Sequence, residues 1–234
     1  MENRRNEASE HRPACRRVAV LFRQLWLRRY VTSKLRRDPI YSAACELFHG
    51  SDEPILDIGC GLGLLAFYLR ERGCRQPIFG LDLDARKIEQ GSRIAAARYR
   101  DVDLRHQDVL GPIPVFSGNI ALFDVLHYLP LAQQSLLLSH LAQCVAPGGL
   151  LVIRDCPRDN SARFWMTCLA EKFAQAVSWN LNTSFHFPSR ERIDEAFGEK
   201  EFERESRPLS GKLPFNNQLF IFRRRASETA PAGG

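Results

Sequence analysis

Apolar runs of strand length occur at residues 55–58, 77–84, 102–109, 119–123 and 150–154, and the segments between them carry apolar residues at helical spacing. Helices are predicted over 64–72, from Ala85 onward, and over the leucine-rich 131–145, which is stopped by Pro147, Gly148 and Gly149. Strands alternating with helices predict a parallel α/β sheet. Two later runs, 202–206 and 219–222, are joined by a short connection and suit an antiparallel pair at the sheet edge. Between the fifth strand and that pair, residues 155–200 read as an insertion with a helix from Arg163 to Trp179 and many aromatic residues.

The first strand runs into Asp57 and then into Gly59, Cys60, Gly61, Leu62 and Gly63, just before a helix beginning at Leu64. Glycines at every second position let the backbone approach a ligand closely at a helix N-terminus. A dinucleotide-binding turn needs glycine at 64, where this chain has leucine. The second strand ends in Asp82, nineteen positions after Gly63, where a carboxylate can accept hydrogen bonds from both hydroxyls of a ribose. Asp84 is equally suited to capping the next helix. The third strand ends in Asp108 and Val109, and the fourth, 119–123, delivers Asp124 to Pro130 to the same edge.

This ordered set resembles the class I S-adenosylmethionine (SAM)-dependent methyltransferases, whose first motif is acidic-x-G-x-G-x-G. The resemblance implies a Rossmann-like, seven-stranded, mostly parallel sheet, with an N-terminal helical cap and an insertion after the fifth strand. SAM is the cofactor it implies, with Asp57 suited to the ammonium group of its amino-acid tail. Asp57, Gly59, Cys60, Gly61, Gly63, Asp82, Leu83, Asp108, Val109 and Phe123 are the cofactor-binding candidates. Within this set, Asp108 would meet the adenine amino group and Val109 would flank the ring. No metal site is expected.

The outer segments carry a closer resemblance. Residues 26–30, 34–41, 124–130, Arg163–Phe164, His186–Phe187 and 214–217 look like the bacterial methyltransferases of aryl polyene and flexirubin-type pigment pathways. A small or carrier-bound phenolic acceptor is what that likeness implies. Deprotonating a phenol calls for a base, and His127 and His186 are the candidates because histidine titrates near neutral pH, with Asp124 and Asp155 as orienting partners. Three other readings stay open: an RNA methyltransferase, a non-catalytic SAM-binding pathway protein, and a nicotinamide oxidoreductase.

Charge alters this picture at one end only. Residues 1–37 hold eleven basic and three acidic side chains, which accounts for more than the whole net charge of +6. From Arg16 to Arg37 the basic residues interleave with apolar ones at roughly helical spacing. A cap over the cofactor cleft, a foot on an anionic membrane surface and a nucleic-acid contact compete for this segment. The absence of basic excess elsewhere argues against a purely nucleic-acid role. The expected organisation is a basic tail and cap over 1–48, a methyltransferase domain over 49–223 and a disordered tail over 224–234. Seven dispersed cysteines, without a C-x-x-C pair, point to reduced thiols and a cytoplasmic protein. No run approaches the roughly 20 apolar residues that span a bilayer.

Overall fold

In the computed structural model, residues 2–111, 114–158, 185–209 and 217–226 are described, with side chains from Glu10 onward. Seven strands form one sheet: β1 (Ile55–Ile58), β2 (Ile78–Asp82), β3 (Val102–His106), β4 (Asn119–Phe123), β5 (Leu150–Asp155), β6 (Phe202–Pro208) and β7 (Gln218–Arg224). Their spatial order is β3-β2-β1-β4-β5-β7-β6. The first five run parallel, and β7 enters antiparallel between β5 and β6. Strands buried on both faces need no polar alternation, which is why β1 and β5 read as almost unbroken apolar runs. The order reverses between β1 and β4, so the carboxyl ends of these two strands open a crevice where ligands bind in sheets of this kind.

Helices cover both faces. Three precede the sheet: α1 (Glu2–Ala19), α2 (Leu25–Arg37) and α3 (Ile40–Phe48). They share one core with α4 (Leu64–Glu71) and α5 (Ala85–Arg98), built around Phe22, Phe48, Phe67 and Tyr68. The opposite face is covered by α6 (Leu131–Cys144) and α7 (Arg190–Glu195), with Leu138, Phe197 and Phe222 in a second core. Each fully buried side chain of this size contributes about 1.5–3 kcal/mol relative to exposure.

The first helix begins at Glu2, inside the stretch expected as a basic tail, and among its described side chains Ala14, Cys15, Val18 and Ala19 are buried. It lies along α4, not over the crevice: His11 Nδ1 and the Tyr68 hydroxyl are 2.7 Å apart, and Arg17 Nε donates to Glu71 at 2.5 Å. It is the end of α2 that comes to the crevice edge. There Lys34 and Asp38 reach the carboxyl ends of β4 and β5. The aromatic helix expected over 163–179, the Pro214–Asn216 stretch and the last eight residues lie outside the described residues.

Candidate active site

The glycine turn leaves β1 and enters α4 with Gly59, Gly61 and Gly63 all at positive φ, at 75°, 56° and 77°. A Cβ on Gly59 would meet the Val125 side chain at 2.3 Å, and one on Gly63 would meet Leu104 at 2.6 Å, so neither position accepts another residue without displacement. Gly61 differs. A Cβ there would meet nothing nearer than Lys87 Cδ at 3.9 Å and Asp82 Oδ2 at 4.0 Å, so its backbone faces an open cradle beside the Asp82 carboxylate.

Asp82 holds this turn in shape. Its Oδ2 accepts the Gly61 N–H at 2.8 Å and its Oδ1 accepts the Asp84 N–H at 2.8 Å. Each carboxylate oxygen keeps a second acceptor site, enough for two ribose hydroxyls. Asp84 caps α5 by accepting from the backbone of Arg86 and Lys87. Gly80 in β2 was not singled out in the sequence, yet a Cβ there would lie 2.7 Å from Cys60 Sγ, so its missing side chain lets the turn pack against β2. A glycine within an otherwise apolar strand is the signal that could have found it.

Asp57 is buried in β1 between Gly80 and Ala121 of the neighbouring strands. Burial, reinforced by the negative charge of Asp82, pushes its carboxyl up to about 7. A folded-state value above the unfolded one means that the folded protein holds the proton more tightly. This contribution to stability is complete below about pH 4 and is lost as pH rises through about 7. In the ligand-free protein, Asp57→Asn is thus expected to raise the melting temperature by roughly 5 °C at pH 8 and much less at pH 5. Melting curves at the two pH values check this; an equal shift at both rules out a buried charge at Asp57.

The other cofactor-side candidates occupy the same edge with different environments. Leu83 is exposed and its carbonyl lies 3.1 Å from His106 Nε2. Cys60 is buried, and burial pushes its thiol well above the usual range. Asp108 uses Oδ1 to accept the Leu110 N–H at 2.9 Å, forming a local turn, while Val109 packs on the second core. Phe123 ends β4, half-buried, in register with Arg154.

Beyond β4 the chain turns at Asp124, whose φ of 58° is uncommon for a residue with a side chain, and forms a short 3-10 turn at Leu126–Tyr128. This turn buries His127 against the end of β5. Its Nδ1 lies 2.9 Å from Asp155 Oδ1, which also accepts the Cys156 N–H at 2.8 Å, and both side chains are buried. Phe187 stacks on the imidazole with centroids 5.6 Å apart, and Tyr128 and Phe185 complete an aromatic wall. The His186 N–H donates to the His127 carbonyl at 2.8 Å, and Gln134 Nε2 donates to the carbonyls of His186, Leu126 and Leu129. His127, Asp155 and His186 are thus brought together.

Asp124 is not their partner. The expected pairing with a histidine is replaced by an ion pair with Arg154, with Lys34 Nζ at 4.0 Å. Arg154 also donates to both Asp38 oxygens, at 2.9 and 2.8 Å. Burial of Arg154 works against its charge, but Asp124 and Asp38 more than offset it and hold the guanidinium above its ordinary range. The carboxyl of Asp38, itself opposed by burial, is held below its usual range by Arg154 and Lys34. An arginine at the end of an otherwise apolar strand was the available signal for this network.

A family model described as a methyltransferase domain matches residues 27–206. The chain belongs to this methyltransferase family. With its sheet order and glycine turn, it is a SAM-dependent methyltransferase of the class I fold. No curated protein sequence matches this methyltransferase. Among solved structures, magnesium protoporphyrin IX methyltransferase from Synechocystis PCC 6803, with bound SAH, is similar with a TM-score of 0.62 at 16% identity, over 86% of this methyltransferase and 88% of that chain. The N-methyltransferase NodS from Bradyrhizobium japonicum WM9, in complex with S-adenosyl-l-homocysteine, gives 0.57 at 19% identity over 92% and 98%. The pyocyanin biosynthetic protein PhzM gives 0.62 at 17% identity over 88% of this methyltransferase and 61% of that chain. These likenesses show the fold.

Proposed function

We propose that this methyltransferase acts on a phenolic aryl acceptor, small or carrier-bound, of the kind used in aryl polyene or flexirubin-type pigment pathways, and that it works in the cytoplasm. The observation that carries this reading is the His127–Asp155 pair, buried behind an aromatic wall at the carboxyl edge of the sheet. A flat aryl ring has aromatic faces to pack on there, and a phenolic proton has a base within the same cluster.

In this reading the cofactor lies along the glycine turn, its ribose on Asp82 and its ammonium group beside Asp57. When bound, SAM supplies a methyl group on a sulfonium sulfur. The chain's own task is to align the acceptor, exclude water and remove one proton. Asp155, accepting from Nδ1, fixes the imidazole tautomer and leaves Nε2 as the basic nitrogen. His127 Nε2 takes the phenolic proton as the acceptor oxygen, or the carbon ortho to it, gains the methyl group. Asp155 stabilises the resulting imidazolium. His186 positions His127 through its backbone, and Asp124 shapes the adjoining turn through Arg154. The free cysteines among the described residues, all buried, support a reducing compartment.

The test is a panel of simple phenols, free and as thioesters on an acyl carrier protein, incubated with methyl-labelled SAM and analysed by mass spectrometry. Label on phenolic oxygen or ring carbon is the expected result. Transfer to amines, carboxylates or RNA, with none to phenols, overturns the assignment.

A further inference from the structure

We propose that the turn between α1 and α2, together with the outer face of α2, is a foot that docks this protein on the surface of an anionic lipid bilayer. α2 is apolar on two sides. Leu27, Val31 and Leu35, spaced four apart, are buried in the shared core. On the outer side Leu25, Trp26 and Tyr30 are 67%, 63% and 51% exposed, and Val20 in the preceding turn is 59% exposed. They account for four of the eight large hydrophobic side chains exposed among the described residues, gathered within eleven positions. Scattered apolar residues are ordinary on a protein surface, but a cluster on one turn and one helix face is not.

Arginines surround this cluster. Arg23, Arg29, Arg36 and Arg37 are exposed along the turn and α2. A groove of about 860 Å³ opens between the turn and α5, with Val20, Leu21 and Arg23 on one wall and Arg86, Arg93 and Arg98 on the other. Arg86 also pairs with Asp84, and Arg93 with Glu89. Guanidinium groups bind phosphate in bidentate fashion, and tryptophan and tyrosine settle at the level of lipid headgroups with their apolar bodies inward.

The two features together select the partner. A nucleic acid would use the arginines but give Leu25 and Val20 nothing apolar to enter. A second copy meeting the same face across a two-fold axis would set arginines against arginines. An anionic bilayer answers both, because apolar insertion and attraction to acidic headgroups add. No helix among the described residues is long and apolar enough to cross a membrane, so the contact is peripheral.

The test uses the full chain and sucrose-loaded vesicles of phosphatidylcholine, with or without one third phosphatidylglycerol, in a co-sedimentation assay. Binding is expected only with the anionic lipid, and to fall steeply as salt is raised. The double variants Leu25→Ser/Trp26→Ser and Arg23→Glu/Arg29→Glu should each weaken partitioning by at least about tenfold, with unchanged melting temperature and unchanged affinity for S-adenosylhomocysteine, since all four side chains are exposed. Absence of binding to anionic vesicles, equal binding to both lipids, or variants that bind like wild type each overturn the proposal. So does a dimer that the apolar variant dissociates, or RNA that binds tightly without vesicle association. None of these readouts uses the methyl acceptor, so the outcome is separable from the phenol assignment.

Discussion

Replacing Asp82 by alanine is expected to weaken S-adenosylhomocysteine binding by at least a hundredfold while the protein stays folded. Two hydrogen bonds from ribose hydroxyls to a charged carboxylate contribute about 1.5–3 kcal/mol each, or about two to four orders of magnitude in affinity together. The structure adds a second effect, because Asp82 also accepts the Gly61 N–H and so shapes the turn that the ligand would lie against. Asp82→Asn should fall between the two, keeping an acceptor oxygen but losing the charge. Asp84→Ala is the control: it removes the cap of α5, costing about 1 kcal/mol of stability, and should leave affinity near wild type. Titration calorimetry with paired melting curves reads both quantities. Wild-type affinity in Asp82→Ala would falsify the assignment.

His127→Ala is expected to lower turnover on an accepted phenol by about two to four orders of magnitude, the usual worth of a positioned base. Because the side chain is buried, the volume-conserving His127→Gln serves as its partner variant and should lose a similar factor. Affinity for S-adenosylhomocysteine should not change in either. Asp155→Asn should also slow turnover, since it donates where an acceptor is needed and favours the wrong tautomer. A profile of kcat against pH discriminates this from a packing role: the acidic limb seen in wild type should vanish in both His127 variants, and added imidazole should restore part of the rate to the alanine variant. Full activity in His127→Gln removes the base from this site.

The parallel core was readable from the chain because each of its signals is local. Apolar runs mark β1 to β5, the glycine spacing marks the turn before Leu64, and Pro147 to Gly149 mark the end of α6. Strand ends were placed within a few residues: β2 and β3 stop at Asp82 and His106, where local turns at Asp84 and Asp108 take over. Histidine and carboxylate positions at the crevice were also legible, since β4 and β5 deliver them to one edge. Which carboxylate serves which cation was not. Asp124 stands three residues from His127 but pairs with Arg154, and Asp155 takes the histidine from 28 positions away. Adjacency along the chain says little once a left-handed residue such as Asp124 redirects it. The first helix was missed for the complementary reason, since the residues that hold it, such as Tyr68 and Glu71, lie more than fifty positions ahead.

The junction of Asp38 with Arg154 has a consequence for the order in which the molecule is made. These partners are separated by 116 positions, and Arg154 sits in β5, beyond the four strands that precede it. During synthesis, α2 and α3 emerge early with only Lys34, four residues away on α2, as a cation for Asp38; the guanidinium that joins Asp38 to the sheet arrives with β5, and long-range closure of this kind is slow. The end of α2 can lock onto the sheet only after the crevice beneath it exists. The rim of the crevice is therefore among the last parts of the molecule to be fastened, although its first residues are among the earliest made.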